Sequence, residues 1–347
     1  MLFLFLRERA VLTLRKYVAK RVIIGIITLW IVATLNFIIF VYQPGDPTKY
    51  LLQPGMKPEQ IKMIEREYGK YDPLWMKYLK YLRNMFSYGL TPPYFGISFE
   101  SKSTVASEMA WRLGVTVFLL GSALVGTVIV GIPVGIVAAA KRGSKADVAV
   151  IGLSLLTWGV PVFFLELVAV FFFSYLANIH GIRIFPTGGG LGGPYNSMME
   201  YISGAAYHLI LPILCLVFAG FAGWALYTRN MLIDALTQDY ILTARAKGVG
   251  ERTVLFRHAF KSILPPIVTM ITLSIPGIVT GAIITETVFG LEGIGKWYVN
   301  ALNPATPDYP VVQAVLFIFA TLTILFNIIA DMLYGVLDPR IRVGARR

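Results

Sequence analysis

Charge is scarce in this chain: 14% of its 347 residues are charged, against 56% that are hydrophobic, and its mean hydropathy is +0.67. That balance excludes an ordinary soluble globular domain and identifies an integral membrane protein. Cysteine is scarcer still. Cys215 stands alone inside an apolar run, which excludes a disulfide framework and a thiolate metal cluster and leaves it as a small lipid- or core-facing residue. The three histidines, His180, His208 and His258, are dispersed and form no H-E-x-x-H pattern, so neither a catalytic metal nor an enzyme is read from them. There is no G-x-x-x-x-G-K-[S/T] loop, so the chain is not expected to bind or hydrolyse ATP by itself. The glycine-rich "TGGGLGGP" at residues 187–194 lacks the lysine of a phosphate cradle and reads as a flexible external loop.

Long apolar runs are what the chain has instead. A helix needs about 20 apolar residues to cross a hydrocarbon core of about 30 Å, and six runs qualify: residues 22–41, 113–140, 148–175, 209–227, 263–284 and 311–330. The second and third exceed that length and are expected to tilt or project. Pro133, Pro161, Pro212 and Pro276, with Gly and Ser around them, predict kinked and closely packed helices. The first apolar residues precede the first charges, the reverse of a secretory signal, so the first run is read as a retained span.

Acids are outnumbered: 31 Lys and Arg against 19 Asp and Glu give a net charge of +12. The excess gathers beside the spans, which fits the positive-inside bias better than nucleic-acid binding. Arg7, Arg9, Arg15, Lys16, Lys20 and Arg21 precede span one; Lys141, Arg142 and Lys145 separate spans two and three. Arg229, Arg245, Lys247, Arg252, Arg257 and Lys261 fall between spans four and five, and Arg340, Arg342, Arg346 and Arg347 follow span six. With six spans all four clusters share one side, so both termini are expected in the cytoplasm. Residues 42–112 then form a long external loop. Its "PEQIKMIEREYG" and "PLWMKYLKYLRNMF" have helical apolar spacing behind a proline, which predicts a small helical layer outside the membrane, either a cap or a surface for an external partner.

One stretch stands out, "DYILTARAKGVGERTVLFRHAFKSILPP" at residues 239–266. Asp239 suits a helix N-cap and Gly248 a left-handed helix end, and a second helix is expected over residues 251–261 before Pro265 and Pro266 open the next span. Ala244 and Ala246 flank Arg245, predicting a smooth surface edged by cations that suits docking into a partner's groove; a solvated cationic loop is the alternative.

This stretch resembles the cytoplasmic EAA-type coupling loop of binding-protein-dependent ABC importer permeases, in the D-Y-x-x-T-A-R-A-K-G variant of the dipeptide/oligopeptide family. "PGDP" at residues 44–47, "ITETVFGLEGIGKW" at 284–297, "DYPVVQ" at 308–313 and "LDPRIR" at 337–342 follow in order and resemble the B-type inner-membrane subunit of that family. Two positions depart from the general EAA pattern: Leu242 stands where an acid is usual, and His258 where an aliphatic residue is usual. Both look like features of the peptide-permease variant. About fifteen residues precede the usual start, as an interfacial helix or a misplaced initiation codon.

The resemblance implies an all-α, type I importer permease with six transmembrane helices in the cytoplasmic membrane. Its expected organisation is a cytoplasmic segment (1–21), a first span (22–41), an external helical loop (42–112), a permease core (113–335) holding the coupling loop (229–262), and a cytoplasmic tail (336–347). The implied partners are a C-type permease, two ATP-binding subunits that hold the nucleotide and an external solute-binding protein. Coupling to the ATPases would fall to Thr243, Ala244, Arg245, Ala246, Lys247, Gly248, Arg257 and His258. Glu286, Thr287 and Phe289, in the "ETVFG" motif, are gate candidates. Charges within spans are functional candidates by default, which adds Glu166, Arg112 and Asp331; hydrogen bonding within the fold is the favoured role for Glu166. The cargo implied is a di- or oligopeptide, with oligosaccharides or nickel complexes as alternatives. An ion-coupled secondary transporter is the competing class, and it would work without partner ATPases.

Overall fold

In hydrocarbon every backbone N–H and C=O must be satisfied within the segment, and a chain this apolar meets that demand with helices. The computed structural model describes residues 2–41, 56–67, 69–88, 90, 95–182, 184–186, 198–279 and 283–337. These form α1 (Leu2–Val41), α2 (Pro58–Glu67), α3 (Leu74–Phe86), α4 (Val105–Ala140), α5 (Lys145–Gly159), α6 (Val162–Val170), α7 (Ala177–Ile179), α8 (Met198–Leu236), α9 (Asp239–Ala246), α10 (Glu251–Thr253), α11 (Lys261–Val279), α12 (Ile283–Val288), α13 (Ile294–Ala301) and α14 (Tyr309–Leu337). Two π-helical stretches, Phe171–Leu176 and Val254–Phe260, join α6 to α7 and α10 to α11. Among the described residues the regular elements are helices, and six helical segments are long and apolar enough to span a membrane: Val18–Val41, Val105–Ala140, Val162–Ile179, Ser203–Leu236, Glu251–Ile275 and Tyr309–Met332.

Three of the expected spans differ in an instructive way. The third is not one helix: it breaks between α5 and α6 at Val160, whose backbone is extended (φ −91°, ψ 123°). Pro161 is the reason, since a proline disfavours the helical conformation of the residue before it. The fourth is much longer than its apolar core. At 39 residues α8 extends for about 58 Å and carries its polar end, through Arg229, well beyond a bilayer core. The fifth does not begin at the Pro265–Pro266 pair. The helix runs on from Glu251 through the π stretch into α11, with both prolines inside it. The motifs at residues 44–47, 187–194 and 338–342 lie outside the described residues.

Contacts group Met1–Thr116, Val279–Ile283 and Gly293–Ile328 into one unit, and Val117–Ile278, Ile284–Glu292 and Ile329–Arg347 into a second. In the first, α1 and α3 meet through Thr34 and Tyr78, whose oxygens are 2.7 Å apart. Leu29, Ala33, Met85, Val105, Trp297 and Phe317 belong to its buried core. Asp308, just ahead of α14, accepts hydrogen bonds from Ser98 Oγ (2.5 Å) and Glu100 N (3.1 Å), so the "DYPVVQ" motif anchors the 98–104 loop. Arg112 lies two turns inside α4, not at its start; its guanidinium pairs with Glu108 and stacks over Trp111 and Trp297.

In the second unit α4 and α8 approach at backbone distance. A Cβ on Gly135 would lie 2.5 Å from the Ala225 carbonyl oxygen and 2.8 Å from Thr228 Cβ, so no larger residue fits without separating the helices. This is the small-residue packing expected where lipid offers no hydrophobic drive for association.

Candidate functional site

The charged segment begins where α8 ends. Gln238, with extended backbone (φ −78°, ψ 151°), occupies the N-cap position of α9, and its side chain makes no cap bond. Asp239 is thus one residue inside the helix, not the cap, where its charge still favours the positive end of the helix dipole. At the other end Gly248 adopts φ +77°, its N–H donates to Arg245 O (2.9 Å) and Val249 N–H donates to Ala244 O (3.2 Å). That pair of bonds is a Schellman closure. Nothing lies within 4 Å of where a Gly248 Cβ would stand; the backbone conformation, rather than crowding, calls for glycine.

Two side-chain links hold the turn. Arg245 forks onto Glu251, with Nε to Oε1 at 2.8 Å and Nη2 to Oε2 at 3.1 Å. The hydrogen bond to Glu251 raises the Arg245 pKa above its ordinary value. Ser262 Oγ donates to Ala259 O, so the 2.9 Å contact between Tyr240 and Ser262 has the tyrosine hydroxyl as donor.

The face of α9 that packs is set by Ile241 and Ala244, three residues apart. Both are buried, in one apolar cluster with Ala139 of α4, Leu232 and Ala235 of α8, Val254 and Ala259 of the π stretch, and Ile263 and Ile267 of α11. Ala244, expected on a docking surface, therefore faces the chain's own core. Thr243, Arg245, Ala246, Lys247, Gly248 and Arg257 are exposed, and His258 is half-buried. Between them stand two apolar side chains that composition alone did not single out, Leu242 at 56% exposure and Phe256 at 48%. The signal was there: Leu242 is the position where an acid would be usual.

Beneath this segment, Arg229 of α8 reaches Asp147 of α5 through Nε to Oδ1 at 2.5 Å and Nη2 to Oδ2 at 2.8 Å. Asp147 also accepts from the Gly143 N–H (2.9 Å). The Arg229 hydrogen bond, then that from Gly143, lower the Asp147 pKa to about 2. Ser144, at the N-cap of α5, accepts from Asp147 N. The cationic turn at 141–145 and the cationic segment after α8 thus share one end of this unit.

The other candidates converge on α12. Glu166 of α6 is fully buried, and Thr285 Oγ1 donates to its Oε1 at 2.6 Å. Glu166 Oε2 is buried without a hydrogen-bond partner. Thr285, Glu286 and Phe289 are buried and Thr287 is exposed. The "ETVFG" motif closes as α9 does: Gly290 has φ +64°, its N–H donates to Thr287 O (3.2 Å) and Leu291 N–H donates to Glu286 O (2.8 Å). Thr285 went unnoticed in the sequence because its partner lies 119 residues away. Asp331, the remaining candidate, is half-buried.

Residues 131–343 match the family described as binding-protein-dependent transport system inner membrane component, and residues 14–120 match the N-terminal part of such membrane components. The oligopeptide transport system permease protein AppB of Bacillus subtilis (strain 168) is 34% identical over 328 residues, covering 94% of this chain and 98% of its own length. The dipeptide transport system permease protein DppB of Escherichia coli (strain K12) is 34% identical over 338 residues, covering 91% of this chain and 96% of its own.

Proposed function

The chain belongs to the family of binding-protein-dependent transport system inner membrane components, and on that premise we propose that it forms the B-type half of a peptide-conducting pathway. It is a multi-pass permease subunit of an ABC importer, and it works in a membrane complex with other subunits. A di- or oligopeptide cargo is supported by the names of the relatives that match across nearly its whole length. The partners proposed are a C-type permease, two ATP-hydrolysing subunits and an external solute-binding protein.

The observation that carries the mechanism is the exposed apolar pair on the charged segment. Ile241 and Ala244 fasten α9 to its own helices, while Leu242 stands out into solvent among Thr243, Arg245 and Lys247. An exposed leucine on a cationic segment is suited to a groove on an ATPase subunit: the apolar group supplies burial and the polar neighbours supply orientation. Because α9, the ends of α4 and α8, and the start of α11 share one packed cluster, a displacement of α9 would move those helix ends together. ATP-driven closure of the two ATPases would thereby reach the pathway, an allosteric coupling between two states of the permease.

The shared end of the 141–145 turn and the segment after α8 supports an orientation with both on the cytoplasmic side. In that orientation α12 lies toward the external face, with Glu286, Thr287 and Phe289 as gate candidates and Glu166 holding Thr285 in place. Uptake of a labelled peptide by proteoliposomes tests the assignment: transport should require the ATPases, ATP and the binding protein, and should persist when ion gradients are collapsed.

A further inference from the structure

The external helices were expected to lie outside the membrane, and the contacts of α3 bear on its depth. Tyr78 meets Thr34 and Phe37 of α1 (oxygens 2.7 Å apart; ring centroids 5.1 Å), and those residues lie inside the apolar run that ends at Val41. They stand about 6 to 10 Å below that end at 1.5 Å per residue. At its other end Phe86 packs on Phe317 of α14 (centroids 5.4 Å), about 12 Å along the helix from Tyr309, where that apolar run starts. Two spans therefore give α3 the same level, near the hydrocarbon boundary.

At that level the sides of α3 are sorted. At about 100° per residue, Tyr78, Tyr81 and Met85 share the side turned to α1 and the core. Next to it runs an exposed apolar stripe of Trp75 (60% exposed), Leu79 (53%) and Phe86. Lys77, Lys80 and Arg83 follow on the remaining side, with Lys80 paired to Asp72 at 2.5 Å. Leu35, Ile38 and Ile39 of α1, neighbours in sequence of the residues α3 touches, are likewise exposed apolar residues of a membrane span.

We propose that α3 is an interfacial helix, with Trp75, Leu79 and Phe86 set into the acyl–headgroup boundary and the Lys77–Lys80–Arg83 side turned to phospholipid headgroups. A tryptophan at this depth matches the preference of amphipathic rings for the interface, and a helix lying in the surface buries its apolar side by about 5 to 10 Å. The role follows from the packing: α3 braces the α1–α14 core against the bilayer plane.

The test places single spin labels at positions 75, 79 and 80 in a Cys215→Ser background, with Leu35→Cys as the lipid reference. The complete transporter is reconstituted in nanodiscs of mixed zwitterionic and anionic phospholipid. Labels at 75 and 79 should match position 35, more relaxed by oxygen and more shielded from a water-soluble nickel chelate than the label at 80. Labels at 75 and 79 as open to nickel as position 80 would overturn the proposal. So would shielding that arises only when the solute-binding protein is added, since the surface would then dock protein. Should a labelled variant fail to assemble, quenching by bromine-substituted acyl chains, compared between the unlabelled parent and Trp75→Phe, decides the matter: a quenched Trp75 component supports the interfacial placement and its absence refutes it.

Discussion

Arg229 and Asp147 form a two-point ion pair, 2.5 and 2.8 Å, that ties the polar end of α8 to the start of α5. The aspartate side chain is 3% exposed and the arginine 15%, so the pair is shielded where most cation–carboxylate contacts at a membrane surface are not. It holds α8 just before the chain turns into α9, and α8 is also held against α4 at Gly135.

Replacing Asp147 with Asn should therefore strand a shielded guanidinium. The expected loss is about 3 kcal/mol of stability, read as a lower unfolding temperature of the purified complex; Arg229→Lys, which keeps the charge but not the fork, should lose less. The pH dependence has a definite sign. The folded Asp147 pKa is depressed to about 2, so its contribution is present above the unfolded value of about 3.9 and is lost as pH falls through the folded one. Thermal stability from this pair should be flat between about pH 5 and 8.

Gly135→Leu should prevent α4 and α8 from closing. The overlap is with backbone as well as side chain, so relaxation is costly, about 1 to 3 kcal/mol or more. The expected outcome is a chain that inserts but is cleared or fails to co-purify with its partners, whereas Gly121→Ala, in the same helix with open space around it, should co-purify normally. Quantitative blotting of membranes and of the affinity-purified complex checks both.

At Gly248 the strain is conformational. Gly248→Asn should keep most transport because asparagine tolerates the left-handed region, Gly248→Ala should cost about 1 kcal/mol in the turn, and Gly248→Val should be the most damaging. The three rates of substrate-stimulated ATP hydrolysis, measured in the assembled complex, should fall in that order.

Thr285→Val removes the hydroxyl that satisfies Glu166 Oε1. Burying that oxygen without a donor should cost about 1 to 3 kcal/mol, with Thr285→Ser restoring most of it. A thermal unfolding series in lipid nanodiscs distinguishes the two.

Much of this was readable beforehand because it is local. The apolar runs marked six spans, and Gly248 marked the end of α9 since few residues other than glycine adopt φ +77° without strain. Even the buried side of α9 is marked by Ile241 and Ala244 three residues apart, although Ala244 beside Arg245 suits an outward surface equally well in sequence. What could not be read depends on distant partners: Thr285 against Glu166, Arg229 against Asp147, and Tyr78 against Thr34, on which the proposed depth of α3 rests. The join of the charged segment to α11 was also hidden. Pro265 and Pro266 look like a boundary, yet the helix passes through them behind a π stretch that no composition signal announces.

Leu242 offers the most direct test of the coupling mechanism. A photo-reactive residue at position 242, compared with one at the buried Ile241 and irradiated in the assembled, transport-competent complex, should yield an adduct with an ATP-hydrolysing subunit from 242 and none from 241. An active complex in which position 242 gives no adduct with either ATPase would contradict the account.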